Sequence, residues 1–275
     1  MLTRKLPRMA HSSDIALANR LADAARAAIV PLYRGAWVEE RKADHSFVTE
    51  ADRAAEAAMR AILEAEAPSD GIIGEEYGAV REGASRQWVL DPIDGTTSFI
   101  AGRPIFGTLI ALLQDGWPVL GVIDQPVLGE RWLGAAGQPT TLNGRPVRTR
   151  PCRELGDAVL ATTSPHLFSA AEADHFMALA QAVAARKIVY GGDCYNYGLL
   201  AAGHVDLVCE AGLKLHDFAA LVPVVEGAGG LMCDWAGEPL HAGSDGTVLA
   251  LGDPARLEAV LDAMGIAEPS FPAGS

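Results

Sequence analysis

Trp88-Val89-Leu90-Asp91-Pro92-Ile93-Asp94-Gly95-Thr96-Thr97-Ser98-Phe99 is the stretch on which the fold and the chemistry turn. An apolar strand delivers Asp91 at its end, and Pro92, which has no N–H, is expected to stop the ladder. Asp94-Gly95 then turns the chain into a segment that opens with hydroxyl side chains. A helix starting there would aim the N–H groups of Gly95, Thr96 and Thr97 at one point, which suits an anion. Two acids this close repel each other unless a cation lies between them, and the strand end before Asp91 offers no neighbouring Lys or Arg. All-oxygen donors favour hard Mg²⁺, which keeps several waters and shares phosphate oxygens. Taken alone, the same residues also read as a turn with two solvated acids.

Further acids stand at similar places. Gly74-Glu75-Glu76 follows the apolar pair Ile72-Ile73, and Asp217 lies at the start of a helix after Gly212-Leu213-Lys214-Leu215-His216. Each alone also fits a bland role, an exposed acidic turn or a helix-start residue favoured by the dipole. Only a fold that gathers strand ends from distant parts of the chain could unite them with Asp91.

The rest of the chain supplies mixed α/β layers. Ser12 and Ser13 are expected to cap a helix with Ile15, Ala18, Leu21, Ala25, Ile29 and Leu32 on one side, its end kinked by Pro31. Thr49-Glu50-Ala51-Asp52 reads as a capping box for a second helix ending near Pro68. Short β-like runs follow, Ile72-Ile73, Trp88 to Leu90, Phe106 to Leu113 and Val119 to Ile123, with turns at Asp115-Gly116 and Asn143-Gly144. Beyond about residue 155, strands at 158–162, 187–190 and 205–209 alternate with helices at 170–185, 193–202 and 216–227. The change of pattern divides the chain into halves 1–150 and 151–275, with the Glu75 and Asp91–Asp94 motifs in the first and Asp217 in the second.

The chain has 275 residues, and 22 Lys and Arg against 35 Asp and Glu leave a net charge of −13, which phosphate backbones and anionic lipid would repel. Neither nucleic acid nor a membrane is therefore an expected partner. The basic start, Met1 to Met9, lacks an apolar core and a cleavage site, and no stretch approaches about 18 uninterrupted apolar residues, so a cytoplasmic location is expected. Cys152, Cys194, Cys209 and Cys233 are too widely spaced for a CxxC metal site and read as reduced, buried thiols.

The Gly-Glu-Glu, Asp-Pro-Ile-Asp-Gly-Thr and late Asp-before-helix segments, in this order, resemble those of the inositol monophosphatase superfamily. The resemblance implies a layered αβαβα sandwich, Mg²⁺-dependent hydrolysis of a small phosphate monoester with two or three ions, and a homodimer. Carried over residue by residue, it makes Glu75, Asp91, Asp94 and Asp217 metal ligands together with the carbonyl of Ile93. Thr96, helped by Glu75 and Asp52, would orient the attacking water, while Asp94, Gly95 and Thr96 hold the phosphate. Tyr190-Gly191-Gly192-Asp193-Cys194-Tyr195 and the segment Ala201 to Lys214 look closer to the histidinol-phosphate phosphatase branch. That implies L-histidinol phosphate as substrate, a precursor in histidine biosynthesis, its cationic groups drawn to Asp193 and Glu210. Glu210 also fits hydrogen bonding to polyol hydroxyls or a structural ion pair, and Asp193 a helix cap.

Several positions depart from the pattern. Phe47 stands where Pro is frequent, Leu215-His216 where Pro-Tyr is usual in that branch, and Thr97 where Lys or Asn is common. None removes a metal ligand. His216 reads as a packing residue, and Lys42 as either a flap lysine or a solvated charge. The alternatives are inositol 1-phosphate or another small sugar or nucleotide phosphate as substrate, and a non-enzymatic binding protein that keeps the fold. A haloacid-dehalogenase-type site needs two Asp residues two apart, and no GxxxxGK[ST] phosphate loop is present.

Overall fold

Along Gly107–Gln114, Leu109, Ala111 and Leu113 point to one side and Ile110 and Leu112 to the other, and all of them are buried. A strand covered on both faces needs a layer above and a layer below it. The computed structural model describes residues 10–35, 39–41 and 47–266 and contains both. In chain order the helices are α1 (Ser12–Ile29), α2 (Glu50–Glu66), α3 (Thr96–Ile100), α4 (Ala170–Ala182), α5 (Asp193–Ala201), α6 (Leu215–Phe218), α7 (Leu221–Gly227) and α8 (Leu257–Met264). The strands begin with β1 (Glu39–Arg41), β2 (Phe47–Thr49), β3 (Gly71–Gly74), β4 (Gly78–Val80), β5 (Arg86–Asp94), β6 (Gly107–Gln114), β7 (Trp117–Gln125) and β8 (Glu130–Ala135). They continue as β9 (Thr141–Leu142), β10 (Arg145–Pro146), β11 (Leu160–Thr162), β12 (Ile188–Tyr190), β13 (Leu207–Glu210), β14 (Leu231–Cys233) and β15 (Val248–Leu251).

Alternation along the strands builds five layers. α1 and α2 bury Leu21, Ile29, Met59 and Leu63 against Trp88, Leu90 and Ile110 on one face of an eight-stranded sheet ordered β10-β9-β8-β7-β6-β5-β3-β4. Its other face turns Val89, Leu109 and Ile123 towards α5 and α7, and Tyr197, Leu200 and Val224 lie between them and Val208, Met232 and Ala250 of a five-stranded sheet. That second sheet, ordered β12-β11-β13-β15-β14, is closed on its far side by Phe176, Leu179 and Val260 of α4 and α8. Each fully buried Leu or Phe side chain contributes about 1.5–3 kcal/mol, so three continuous apolar interfaces hold the αβαβα stack together.

Local signals are answered where they act locally. Thr49 caps α2, with Asp52 returning the bond to its N–H at 2.8 Å. Asp115-Gly116 and Asn143-Gly144 both adopt positive φ, as two-residue hairpin turns demand. α1 is capped by His11, with Asp14 accepting the His11 N–H at 2.9 Å, rather than by Ser12 or Ser13. Pro31 lies in a 3₁₀ turn, Val30–Leu32, that ends the helix. The helix expected over 216–227 is two, α6 and α7, because Pro223 has no N–H to bond back to Ala219 and is tolerated only in a helix's first turn. All four cysteines are buried and unpaired. Lys42 lies outside the described residues.

Candidate active site

The decisive stretch forms β5 and the start of α3, and Pro92 does not end the strand as expected. β5 pairs with β6 through Asp91↔Leu109, loses register, and resumes at Asp94↔Gly107. The missing N–H of Pro92 is absorbed by this bulge, and its carbonyl accepts the Thr108 hydroxyl at 2.8 Å. The bulge leaves both acids at the sheet end. Gly95 follows with φ +85°, and a Cβ there would stand 2.7 Å from Asp193 Oδ2, so conformation and space both demand glycine. Thr96 opens α3 and donates its hydroxyl to the Ile93 carbonyl at 3.1 Å.

Distant elements complete the cluster. Asp217 sits in the first turn of α6, where the Lys214 N–H donates to its Oδ2 at 2.6 Å. One carboxylate oxygen from each of Asp91, Asp94 and Asp217 falls within 4.8 Å of the others. Glu75 lies in the turn between β3 and β4, its N–H bonded to the Leu90 carbonyl at 3.1 Å, directly before Asp91. Asp52, 0% exposed, approaches from α2. The sequence-expected acids are thus gathered from α2, the β3–β4 turn, β5 and α6.

Their electrostatics favour a positive charge among them. Burial, then Glu75, Asp94 and Asp217, push the Asp91 carboxyl well above its usual range. Burial and then Asp193 and Asp217 do the same to Asp94, opposed by the amide and thiol of Cys194. Asp217 is raised by burial against the pull of His216 and the Lys214 amide. Burial lifts Asp52 to about 6, against its hydrogen bonds from Thr49. Asp52 Oδ1 and Asp91 Oδ1 are buried without a hydrogen-bond partner. Orphaned, crowded carboxylate oxygens suit a hard divalent cation, and a donor set without sulfur suits Mg²⁺ better than a soft metal.

A second group of acids lies beside this one. Gly191, Gly192 and Asp193 have φ of +82°, +121° and +44°, an unusual run that the Asn196 amide holds by donating to the Gly191 carbonyl at 3.1 Å. Asp193 accepts the Ser98 hydroxyl at 3.1 Å, and the next residue's N–H donates to Asp94 Oδ2 at 2.6 Å. Glu210 ends β13 and accepts the Thr163 N–H at 2.9 Å, the Thr163 hydroxyl at 2.6 Å and the Tyr197 hydroxyl at 2.9 Å. Burial lifts it to about 7, with Asp193 adding to the rise. Asp193 therefore acts on Asp94 on one side and Glu210 on the other.

Some neighbours were not legible. Tyr197 reads in the sequence only as one position of a helix, and Arg103 stands in no motif. Both terminal nitrogens of the Arg103 guanidinium would lie 3.2 Å from a Cβ at Gly191, and its charge opposes the rise of Asp193. His216 does more than pack, since its Nε2 is 3.4 Å from Asp217 Oδ1. Thr97 is exposed on α3.

The sequence profile of the inositol monophosphatase family matches residues 11–264. The chloroplastic bifunctional phosphatase IMPL2 of Arabidopsis thaliana is 52% identical over 225 residues, 81% of this chain and 64% of that protein, so the chain spans just under two thirds of that relative's length. A histidinol-phosphatase of Chlorobaculum parvum is 37% identical over 210 residues, 76% of this chain and 80% of its own. The solved structure of an inositol monophosphatase from Zymomonas mobilis, 55% identical, has a TM-score of 0.86 and covers 94% of this chain and 100% of that one.

Proposed function

The chain belongs to the inositol monophosphatase family, whose members are metal-dependent phosphoric monoester hydrolases, and from that premise we propose that it hydrolyses L-histidinol phosphate to L-histidinol and phosphate with Mg²⁺. One observation carries the choice of substrate: Asp193, beside the glycine at the start of α3, extends the acidic cluster towards buried Glu210. A substrate with an ammonium group next to its phosphate complements that line of charge, whereas a neutral polyol gains nothing from it.

In this reading Glu75, Asp91, Asp94, Asp217 and the Ile93 carbonyl hold two or three Mg²⁺ ions. When bound, the metal neutralises the acids, lowers the pKa of a coordinated water and stabilises charge on the departing oxygen. The chain's own groups do the rest. Thr96, with Glu75 and Asp52, orients the attacking water, the Asp52 Oδ1 being a buried acceptor without another donor. Asp94, Gly95 and Thr96 hold the phosphate at the head of α3. Tyr197 and Thr163 fix the Glu210 carboxylate, and Ser98 fixes that of Asp193, so both are oriented before a substrate arrives.

The same proposal includes two halves, 1–150 and 151–275, with the site between them. It is supported by a first sheet drawn from residues 71–146 and a second from residues 160–251. It also includes a homodimer, a cytoplasmic location and no nucleic-acid or membrane partner. The net charge of −13 supports the last, and no described helix is long and apolar enough to cross a membrane.

The second reading, inositol 1-phosphate as substrate, is favoured by the 55% identity to the Zymomonas mobilis protein. Phosphate release with Mg²⁺ separates the two. A well-made hydrogen bond to a charged group is worth about 1.5–3 kcal/mol, roughly tenfold to a hundredfold in kcat/KM if made in the transition state. We expect at least tenfold preference for L-histidinol phosphate; equal or better turnover of inositol 1-phosphate overturns the choice.

A further inference from the structure

Glu56 has no part in the chemistry above, yet it is 0% exposed and fully engaged. It leaves α2 one turn after Asp52 and reaches under the turn that carries Glu75 between β3 and β4. Its Oε2 accepts the Glu76 N–H at 2.7 Å, and its Oε1 accepts the Tyr77 N–H at 3.2 Å and Arg60 Nε at 2.7 Å. Arg60 in turn donates to the Gly78 carbonyl, and the Tyr77 hydroxyl to the Arg53 carbonyl at 3.4 Å. A Cβ at Gly74 would lie 1.9 Å from Glu56 Oε1, so the backbone before Glu75 is also shaped around this carboxylate.

We infer that Glu56 is a positioning residue for cation binding, clamping the 74–78 turn so that Glu75 is aimed at the Asp91, Asp94 and Asp217 cluster. The inference rests on the reading of Glu75 as a metal ligand. α2 thus brings one carboxylate, Asp52, to the cluster itself and a second, Glu56, to the backbone that delivers Glu75. Groups that orient a metal ligand commonly change metal affinity tenfold to a hundredfold when lost. A Gln at this position keeps the shape but has only one accepting oxygen. Its NH₂ must face either the Glu76 N–H, which loses one contact, or the Tyr77 N–H and Arg60 pair, which loses two.

The test is Mn²⁺ binding to the full chain followed by electron paramagnetic resonance, alongside steady-state kinetics at saturating metal. Glu56→Gln is expected to bind Mn²⁺ about tenfold to a hundredfold more weakly, with KM for substrate at saturating metal changed less than twofold. Asp70→Asn serves as the structural control. It leaves one accepting oxygen where Arg86 and the buried Trp88 N–H now share two, at the other end of β3, and should leave Mn²⁺ affinity unchanged. If Glu56→Gln does not fold, Gly74→Ala, which pushes on the same carboxylate, is read in its place. Wild-type Mn²⁺ affinity in the folded variant, or an equal loss in Asp70→Asn, overturns the inference. Wild-type affinity in Glu75→Gln instead removes the ligand reading beneath it.

Discussion

Replacing Asp94 by Asn should move activity and metal-free stability in opposite directions. The Asn carbonyl can keep the bond from the Cys194 N–H, now 2.6 Å from Oδ2, so the local shape survives and the charge does not. Carboxylate oxygens of Asp91, Asp94 and Asp217 lie within 4.8 Å of one another. At that distance and an effective dielectric constant of about 20, two unit charges repel by roughly 3.5 kcal/mol. Raised pKa values let protons relieve part of this at neutral pH, leaving a gain of about 1–2 kcal/mol on removing one charge. For a chain of this size that is a rise of about 2–4 °C in Tm with EDTA present. Addition of Mg²⁺ should raise the wild-type Tm and leave that of Asp94→Asn nearly unmoved. Turnover should fall by at least about 10²-fold, the usual effect of losing a major electrostatic stabiliser. Differential scanning fluorimetry with EDTA or Mg²⁺, beside phosphate release, reads all three quantities. A lower metal-free Tm, an undiminished Mg²⁺ shift or wild-type turnover in the variant would refute the account of these acids as a cation site.

Gly95→Ala should fold but lose about 10²-fold in activity, since its Cβ meets Asp193 Oδ2 at 2.7 Å in a backbone with φ +85°; wild-type kcat would show that α3 does not hold the phosphate. Glu210 stands at about 7 against an ordinary value of 4.5, so in the window between them it is protonated when folded and ionised when unfolded. Folding then takes up a proton, and stability falls as pH rises from about 4.5 to about 7. Metal-free wild type should therefore lose stability relative to Glu210→Gln across that window in urea titrations, and a difference that is flat or of opposite sign would contradict the burial of this acid. Glu210→Gln should also lower the ratio of kcat/KM for L-histidinol phosphate to that for inositol 1-phosphate by more than it lowers kcat on the latter; an unaltered ratio assigns Glu210 a structural role.

What could be read in advance divides by range. Thr49 and Asp52 cap α2 through atoms three residues apart, and the Asp115-Gly116 turn is made within itself, so both were legible. The acids of the β5 bulge could be recognised, but how Pro92 is accommodated depends on Thr108 of the neighbouring strand. β14, β15 and α8 carry too short a pattern to stand out, and the first two are strands because Met232 and Ala250 pair beneath α7. Glu56 reads as one more polar residue on an amphipathic helix, and only the β3–β4 turn folding over it makes it a buried acceptor. The union of Asp217 with Asp91 came from the family resemblance, because no spacing rule joins residues from different halves of the chain.

The claim that Asp193 receives the substrate's ammonium group is tested most directly by an analogue that lacks only that group. kcat/KM is measured with Mg²⁺ for L-histidinol phosphate and for its deaminated counterpart, with wild type and with Asp193→Asn. The account predicts that wild type favours the amine by at least about tenfold and that Asp193→Asn loses most of this preference with smaller change towards the analogue. Equal turnover of the two compounds by wild type, or an undiminished preference in Asp193→Asn, would contradict it.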